Sequence, residues 1–367
     1  MLAFAATALM AQQTPLPTPP RAPAAEVQPS LTVDRDPVAS PDDVMSATGS
    51  VSGATPAHPP TQNLPGKENG RFLFRTEVEE VVLYVTVVDQ RQRLVKTLVQ
   101  PDFTVYEDNV QQKISSFRHE DVPVSMGILV DNSGSMRDKR AAVARAAMDL
   151  VRASNPQDEA FIVNFSDEAF LDQDLTSSVP LLQQGLSHID SRGGTALYDA
   201  VVASADHLSK YAKWPKQVLL IITDGEDNSS STTLEQTVRR IQDLQGPIVY
   251  SIGLLFDDSG HEVKHARNAL QMLSNETGGL AFFPKSLAQV DEIADEVAQD
   301  IRNQYILGYH PLRPVKPGGA YRSVRVMVKA KGLGKLIART RPGYYPGPVK
   351  APVPGLSDAP GAGSGHH

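Results

Sequence analysis

One feature constrains this chain more than any other: short, unbroken apolar runs alternate with longer amphipathic segments across residues 124–303. Residues 126–130 (MGILV), 160–165 (AFIVNF), 217–223 (QVLLIIT), 247–255 and 280–283 read as strands. Between them lies a helix at 137–153, with Val143, Ala147 and Val151 on one face. Another at 196–210 carries Leu197, Val201, Ala205 and Leu208. Thr232 opens a third through a T-x-x-E capping box ending at Glu235, with Leu234, Val238 and Ile241 as its apolar face. A fourth at 263–277 ends at Gly278-Gly279, and a fifth at 287–303 aligns Val290, Ile293, Val297 and Ile301. Strands that lack polar alternation have no solvent face, so helices must cover both sides of the sheet. The expected fold class is therefore α/β, a doubly wound, mostly parallel, Rossmann-like sheet.

Strand texture without helices flanks this unit. Residues 77–89 (EVEEVVLYVTVVD), then 102–107 (DFTVYE) and 113–117 (KISSF) around an Asp108-Asn109 turn, precede it. Residues 305–309 (YILGY) and 321–329, with Val324, Val326 and Val328 on one face, follow it. Each side alone is too small to cover an apolar face. The expectation is a small β-sandwich-like domain, 71–123 and 303–346, into which the α/β domain 124–302 is inserted. Residues 12–70 are rich in Pro, Ala, Thr and Ser and read as a disordered linker, and 347–367 as a disordered tail. Residues 1–11 resemble a signal peptide, with an apolar stretch shorter than the roughly 20 residues that span a bilayer. An exported chain, periplasmic or extracellular, with no transmembrane segment in its mature form, is expected.

Composition excludes several chemistries. With no Cys there is no disulfide, thiolate metal site, Cys nucleophile or acylated-cysteine anchor. A net charge of -7 and the lack of any dense Lys/Arg run argue against a nucleic-acid partner.

Ligands of a doubly wound sheet sit outside the carboxyl ends of its strands. Three segments fall there. Asp131-Asn132-Ser133-Gly134-Ser135 follows the first strand, Thr195 closes the Gly193-Gly194-Thr195 loop before a helix, and Asp224-Gly225 follows 217–223. All offer hard oxygens and none offers sulfur or imidazole, which suits Mg²⁺ or another hard divalent ion (Mn²⁺ or Ca²⁺). The spacing of two between Asp131, Ser133 and Ser135 lets a tight turn aim successive side chains inward, with Gly134 making room. Two carboxylates balance a dication without over-neutralising it, which leaves it electrophilic.

DxSxS after the first strand, GGT before a helix and TDG after a later strand, in this order, resemble the von Willebrand factor type A (VWA) domain over about 124–303. The pattern is similar to the metal-ion-dependent adhesion site of integrins and related proteins. The resemblance implies that Asp131, Ser133, Ser135, Thr195 and Asp224 are metal ligands, directly or through water. It also implies a protein partner that presents an Asp or Glu to the ion, in adhesion or assembly. The flanking segments resemble secreted bacterial VWA-related proteins. Two other readings stay open: a metal-dependent hydrolase, and a purely structural ion with the β-domain as the interaction surface.

Taken singly, these motifs have bland explanations. Ser133 could cap a helix and Asp224-Gly225 could be an ordinary turn. Asp199 reads as an exposed first-turn carboxylate favoured by the helix dipole, and Asp227 as a near neighbour of the site. His261-Glu262-Val263-Lys264-His265 matches H-E-x-x-H, but its polar surroundings suit a solvated helix start better than a zinc protease helix. Neither His188 nor His207 is expected near the metal. No Ser lies in a G-x-S-x-G elbow, and Ser133 stands where a haloacid-dehalogenase-like phosphotransferase needs a second Asp. The expectation is a binding module, not an enzyme.

Overall fold

The inner strands of the α/β unit are buried along almost their whole length because helices cover both of their faces. The structure, a computed structural model, describes residues 30–38, 67–68, 71–72, 80–187, 193–256, 260–316 and 318–346. The signal-like segment 1–11, most of 12–70, His188 and the tail 347–367 lie outside the described residues. In chain order the strands are β1 (Thr32–Val38), β2 (Lys67–Glu68), β3 (Arg71–Phe72), β4 (Val81–Val88), β5 (Phe103–Glu107) and β6 (Val110–Gln112). Next come β7 (Ile114–Arg118), β8 (Val124–Asp131), β9 (Glu159–Phe165), β10 (Ala169–Thr176), β11 (Lys216–Thr223) and β12 (Ile248–Gly253). The last are β13 (Ala281–Phe282), β14 (Tyr305–Tyr309), β15 (Arg322–Val328), β16 (Ile337–Arg339) and β17 (Gly343–Tyr344). The helices are α1 (Arg140–Arg152), α2 (Val179–Gly185), α3 (Leu197–Tyr211), α4 (Leu234–Asp243), α5 (His261–Asn275) and α6 (Val290–Arg302).

The α/β unit is built on one sheet of order β1-β10-β9-β8-β11-β12-β13, parallel except where β10 meets β9. All eight residues of β8 are buried. Met126, Ile128 and Val130 pack with Val143, Ala147 and Leu150 of α1 and Val297 and Ile301 of α6. Leu129, with Phe161 and Val163, packs against Leu197, Val201 and Leu208 of α3 and Leu270 and Leu273 of α5. Each large side chain among them contributes about 1.5–3 kcal/mol by leaving water, so packing on the sheet, more than intrinsic propensity, holds these helices. From β8 the chain runs one way to β9 and β10, then returns to β11 and β12 on the other side. The carboxyl ends of β8 and β11 therefore flank the topological switch point, where a doubly wound sheet opens a crevice.

Two four-stranded sheets, β16-β4-β14-β7 and β17-β15-β5-β6, form the second unit around Leu83, Val85, Phe103, Val105, Tyr305, Leu307, Val324 and Tyr344. Strands from both sides of the α/β unit interleave: β14 pairs with β4 and β7, and β15 with β5. The fold class is thus a doubly wound sheet inserted in a small β-sandwich. Asp108 and Asn109 both have positive φ, 47° and 63°, as a two-residue primed hairpin turn requires. That turn joins β5 to β6, not to the strand read at 113–117, which becomes β7 and pairs in the other sheet.

Three further differences from the sequence reading have physical reasons. The strand β1 lies inside the expected linker and pairs in parallel with β10 at the sheet edge, where Pro37, which has no N–H to donate, is tolerated. The strand β10 carries no clear strand signal in the sequence because polar Asp172 and Gln173 interrupt its apolar pattern, although both are buried. The capping box of α4 is Thr233 with Gln236, one residue later than expected. The hydroxyl of Thr232 instead donates to Asp199 Oδ1 at 2.5 Å.

A buried lysine sits where the two units meet. Lys216, at the amino end of β11, is 2% exposed; its ammonium donates to the Ile301 carbonyl and lies 5.3 Å from the Tyr84 ring centroid. Burial pushes its pKa down to about 8 against the pull of Asp300 and Asp121. The unfolded chain, with an ordinary lysine, then holds more protons than the folded one between pH 8 and 10.5. Stability should rise with pH across that window, by up to about 3 kcal/mol from this group. Denaturant titrations of wild type and Lys216→Met from pH 7 to 10.5 should show the wild type gaining on the variant. A constant difference would contradict it.

Candidate functional site

At the switch point the register of β8 against β11 pairs Val130 with Ile222. Asp131, the last residue of β8, therefore lies beside Thr223 and next to Asp224. Asp131 is fully buried. Its Oδ1 accepts from the Ser133 amide at 2.8 Å and its Oδ2 from the Thr223 hydroxyl at 2.5 Å. The hydroxyls of Ser133 and Ser135 are 3.1 Å apart, and that of Ser135 donates to Asp224 Oδ1 at 2.8 Å. One chain of polar contacts thus runs from Asp131 through Ser133 and Ser135 to Asp224. Burial pushes the Asp131 carboxyl above its ordinary range, against the pull of the Thr223 hydroxyl and the Ser133 amide, and the nearby Asp224 pushes the same way.

Thr195 belongs to the same neighbourhood through the loop that carries it. Its amide donates to Asn228 Oδ1 at 2.9 Å, and its carbonyl accepts from the Asn228 and Ser229 amides. Its buried hydroxyl lies against Gly225, 3.6 Å from where a Cβ on that glycine would stand. The loop is fastened further by Gly194, whose amide donates to Asp167 Oδ1 at 2.8 Å, and by Ala196, whose amide donates to the Ser166 carbonyl at 2.6 Å. Gly134 differs from expectation. Its φ is not positive and a Cβ there would meet nothing within 4 Å, so the turn does not need glycine. Gly134 and Ser135 are the exposed edge of an otherwise buried group, open to solvent above the carboxylates.

Two contributors were not foreseen. Thr223 fixes Asp131, and Lys139, only 7% exposed, places its ammonium 2.8 Å from Asp224 Oδ2. Thr223 was legible only as the end of an apolar run. For Lys139 nothing in the sequence pointed to a partner 85 residues away.

Asp199 is half-buried, not an exposed helix-start carboxylate. Burial raises its carboxyl, but the amides and hydroxyls of Ser231 and Thr232 together hold it below the ordinary range. It clamps the loop after Asp224. Asp227 accepts from the Tyr198 amide and from Ser230, apart from the Asp131–Asp224 chain. The H-E-x-x-H residues open α5, with His261, Glu262 and His265 exposed. The two imidazoles meet edge to face at 5.9 Å, and His265 Nδ1 pairs with Glu226 Oε1 at 3.0 Å. His207 pairs with Asp174 at 2.8 Å, away from the site. Among the described residues no three His, Cys, Asp or Glu side chains cluster as a metal site, so any ion must rely on hydroxyls as well as carboxylates.

The donor set at the switch point fits a hard divalent cation. Its side chains are two buried carboxylates and neighbouring hydroxyls, all oxygen, and the raised Asp131 carboxyl is a site where a cation relieves the cost of burial.

Comparison with curated proteins returned no match. Among solved structures, a von Willebrand factor type A protein from Catenulispora acidiphila is 14% identical, covering 74% of this chain and 75% of that one, with a TM-score of 0.43. The vWF domain of the type V pili tip protein Mfa5 from Porphyromonas gingivalis is 13% identical over 49% of this chain and 95% of that one, TM-score 0.40. Proximal thread matrix protein 1 from the mussel byssus, with a zinc-occupied MIDAS motif, is 16% identical over 53% of this chain and 49% of that one, TM-score 0.41. Residues 126–226, which span Asp131, Thr195 and Asp224, match the family model of the von Willebrand factor type A domain. The inserted unit of this chain thus carries a match to the von Willebrand factor type A domain over 126–226, on a doubly wound sheet that brings Asp131, Thr195 and Asp224 to its switch point.

Proposed function

We propose that this chain is a protein-binding module, for adhesion or assembly, that holds one divalent ion through Asp131, Ser133, Ser135, Thr195 and Asp224. The observation that carries this reading is the continuous polar chain from Asp131 to Asp224 at the switch point, closed below by the sheet and open to solvent at Ser135. Bound there, Mg²⁺, Mn²⁺ or Ca²⁺ supplies Lewis acidity toward an oxygen ligand from outside. The chain's own residues hold the two carboxylates in place through Thr223 and Ser135 and leave the Gly134–Ser135 edge uncovered for an Asp or Glu of a protein partner. We place this module outside the cytoplasm on the strength of residues 1–11. No helix among the described residues is long and apolar enough to cross a membrane.

Calorimetric titration with Mn²⁺ tests the reading. Wild type should bind about one ion, and Asp131→Ala should bind at least about a hundredfold more weakly, since it removes one of only two carboxylates. Equal binding by the two proteins would sink the ion-holding role of Asp131. Chelation that lowers thermal stability while leaving partner capture intact would favour the structural-ion reading instead.

A further inference from the structure

We propose that Lys139 is the internal counter-cation of this site: it keeps affinity for a divalent ion low and leaves the occupied site positively charged. The inference rests on the ion-holding reading above. The two oxygens of Asp224 are divided between two partners. Oδ1 receives the Ser135 hydroxyl at 2.8 Å, on the side of Ser133 and Asp131, and Oδ2 receives the Lys139 ammonium at 2.8 Å. The lysine therefore takes the carboxylate edge that Ser135 does not use. Its side chain is buried and its ammonium lies 5.5 Å from the centroid of the Phe256 ring, a favourable setting for a cation held away from water.

Charge decides what this pairing does. Asp131, Asp224 and Lys139 are all buried, and among the described residues these three groups together carry one net negative charge when ionised. A lone pair of buried carboxylates would be strongly unfavourable without an ion, and the ammonium makes the ion-free fold tolerable. A divalent ion then turns the group net positive, where two carboxylates alone would only have neutralised it. The occupied site so becomes an anion receptor, suited to a partner carboxylate rather than to a neutral oxygen. The same ammonium repels the incoming ion.

A lysine that merely positioned Asp224 would act with the opposite sign. Its loss would let the carboxylate wander and weaken ion binding, whereas loss of a counter-cation strengthens it. The test is calorimetric titration of the full chain with Mn²⁺ alone, for wild type, Lys139→Gln, Lys139→Arg and Asp131→Ala. Lys139→Gln keeps a hydrogen-bond donor without the charge, and we expect it to bind Mn²⁺ at least about tenfold more tightly than wild type, with Lys139→Arg within about threefold. Unchanged or weaker binding by Lys139→Gln, with wild type binding normally, overturns the counter-cation role and leaves the ion-holding reading standing. Failure of both wild type and Lys139→Gln to bind overturns the two together. Should Lys139→Gln be too unstable to titrate, the rise in its melting temperature with Mn²⁺ decides. A rise larger than that of wild type supports the proposal, and one no larger overturns it.

Discussion

A chain that stops after Asn303 is expected to aggregate, although every strand of the seven-stranded sheet is still present. The stop removes β14 to β17. Without β14, β4 and β7 lose the strand that lies between them; without β15, β5 keeps only the three-residue β6. The interior loses Tyr305, Leu307, Tyr309, Val324, Val328 and Tyr344, which leaves Leu83, Val85, Phe103 and Val105 facing water. At about 1.5–3 kcal/mol for each large apolar side chain uncovered, the loss exceeds the stability of an ordinary small domain. Unpaired edges of β-branched strands such as β4 then offer a template for pairing with other chains. Size-exclusion chromatography and thermal melts of residues 1–303 against the full chain decide the matter. A soluble, monomeric, cooperatively melting 1–303 would falsify the dependence of the N-terminal strands on the C-terminal ones.

The second large effect is expected from Arg339→Met, at the junction of the two units. Asp300 of α6 is buried, and both its oxygens accept from one Arg339 nitrogen of β16 at 2.6 Å. The Tyr250 hydroxyl donates to Asp300 Oδ2 at 2.6 Å, and the burial that enforces this keeps the phenol protonated far above its usual range. The side-chain amide of Gln304 bridges onward to Tyr250 and Thr86 of β4. Removing the guanidinium leaves a buried carboxylate hydrogen-bonded by the neutral Tyr250 hydroxyl, with the Lys216 ammonium as its remaining counter-charge, which costs about 3 kcal/mol. Chemical denaturation of the single variant should show that loss. The double variant Arg339→Met with Asp300→Asn should recover part of it, because the stranded charge is gone. A loss under about 1 kcal/mol in the single variant would mean that the junction does not depend on this pair.

Most of the α/β unit could be read from the sequence because its signals are local. Val143, Ala147 and Val151 report a helix by their own spacing, and the solid apolar run of β8 reports burial on both faces without reference to any partner. The candidate site was legible for the same reason: Asp131, Ser133 and Ser135 fall in one turn, and Asp224 directly ends a strand. Elements that broke the local pattern were not found. In β10 buried Asp172 and Gln173 imitate a loop, and Asn164 answers Asp172 with a hydrogen bond at 2.5 Å that no periodicity encodes. The strand β1 sits in a segment whose composition argues for a linker, and only the free edge of β10 gives it a place.

The sequence by itself thus determined the helices, the buried inner strands, the fold class and the residues placed near the switch point, since these follow from periodicity, turn chemistry and chain order. The tertiary structure alone decided which of those residues are coupled. The parallel register of β8 against β11 set Thr223 on Asp131, and the docking of α1 put Lys139 on Asp224. The loop after Asp224 turned Asp199 from a helix-dipole carboxylate into a clamp and moved the capping box from Thr232 to Thr233. The physical reason is range. Propensity and hydrophobic period act over a few neighbours along the chain, whereas a buried charge takes the partner that packing brings to it, here some 85 and 92 residues away.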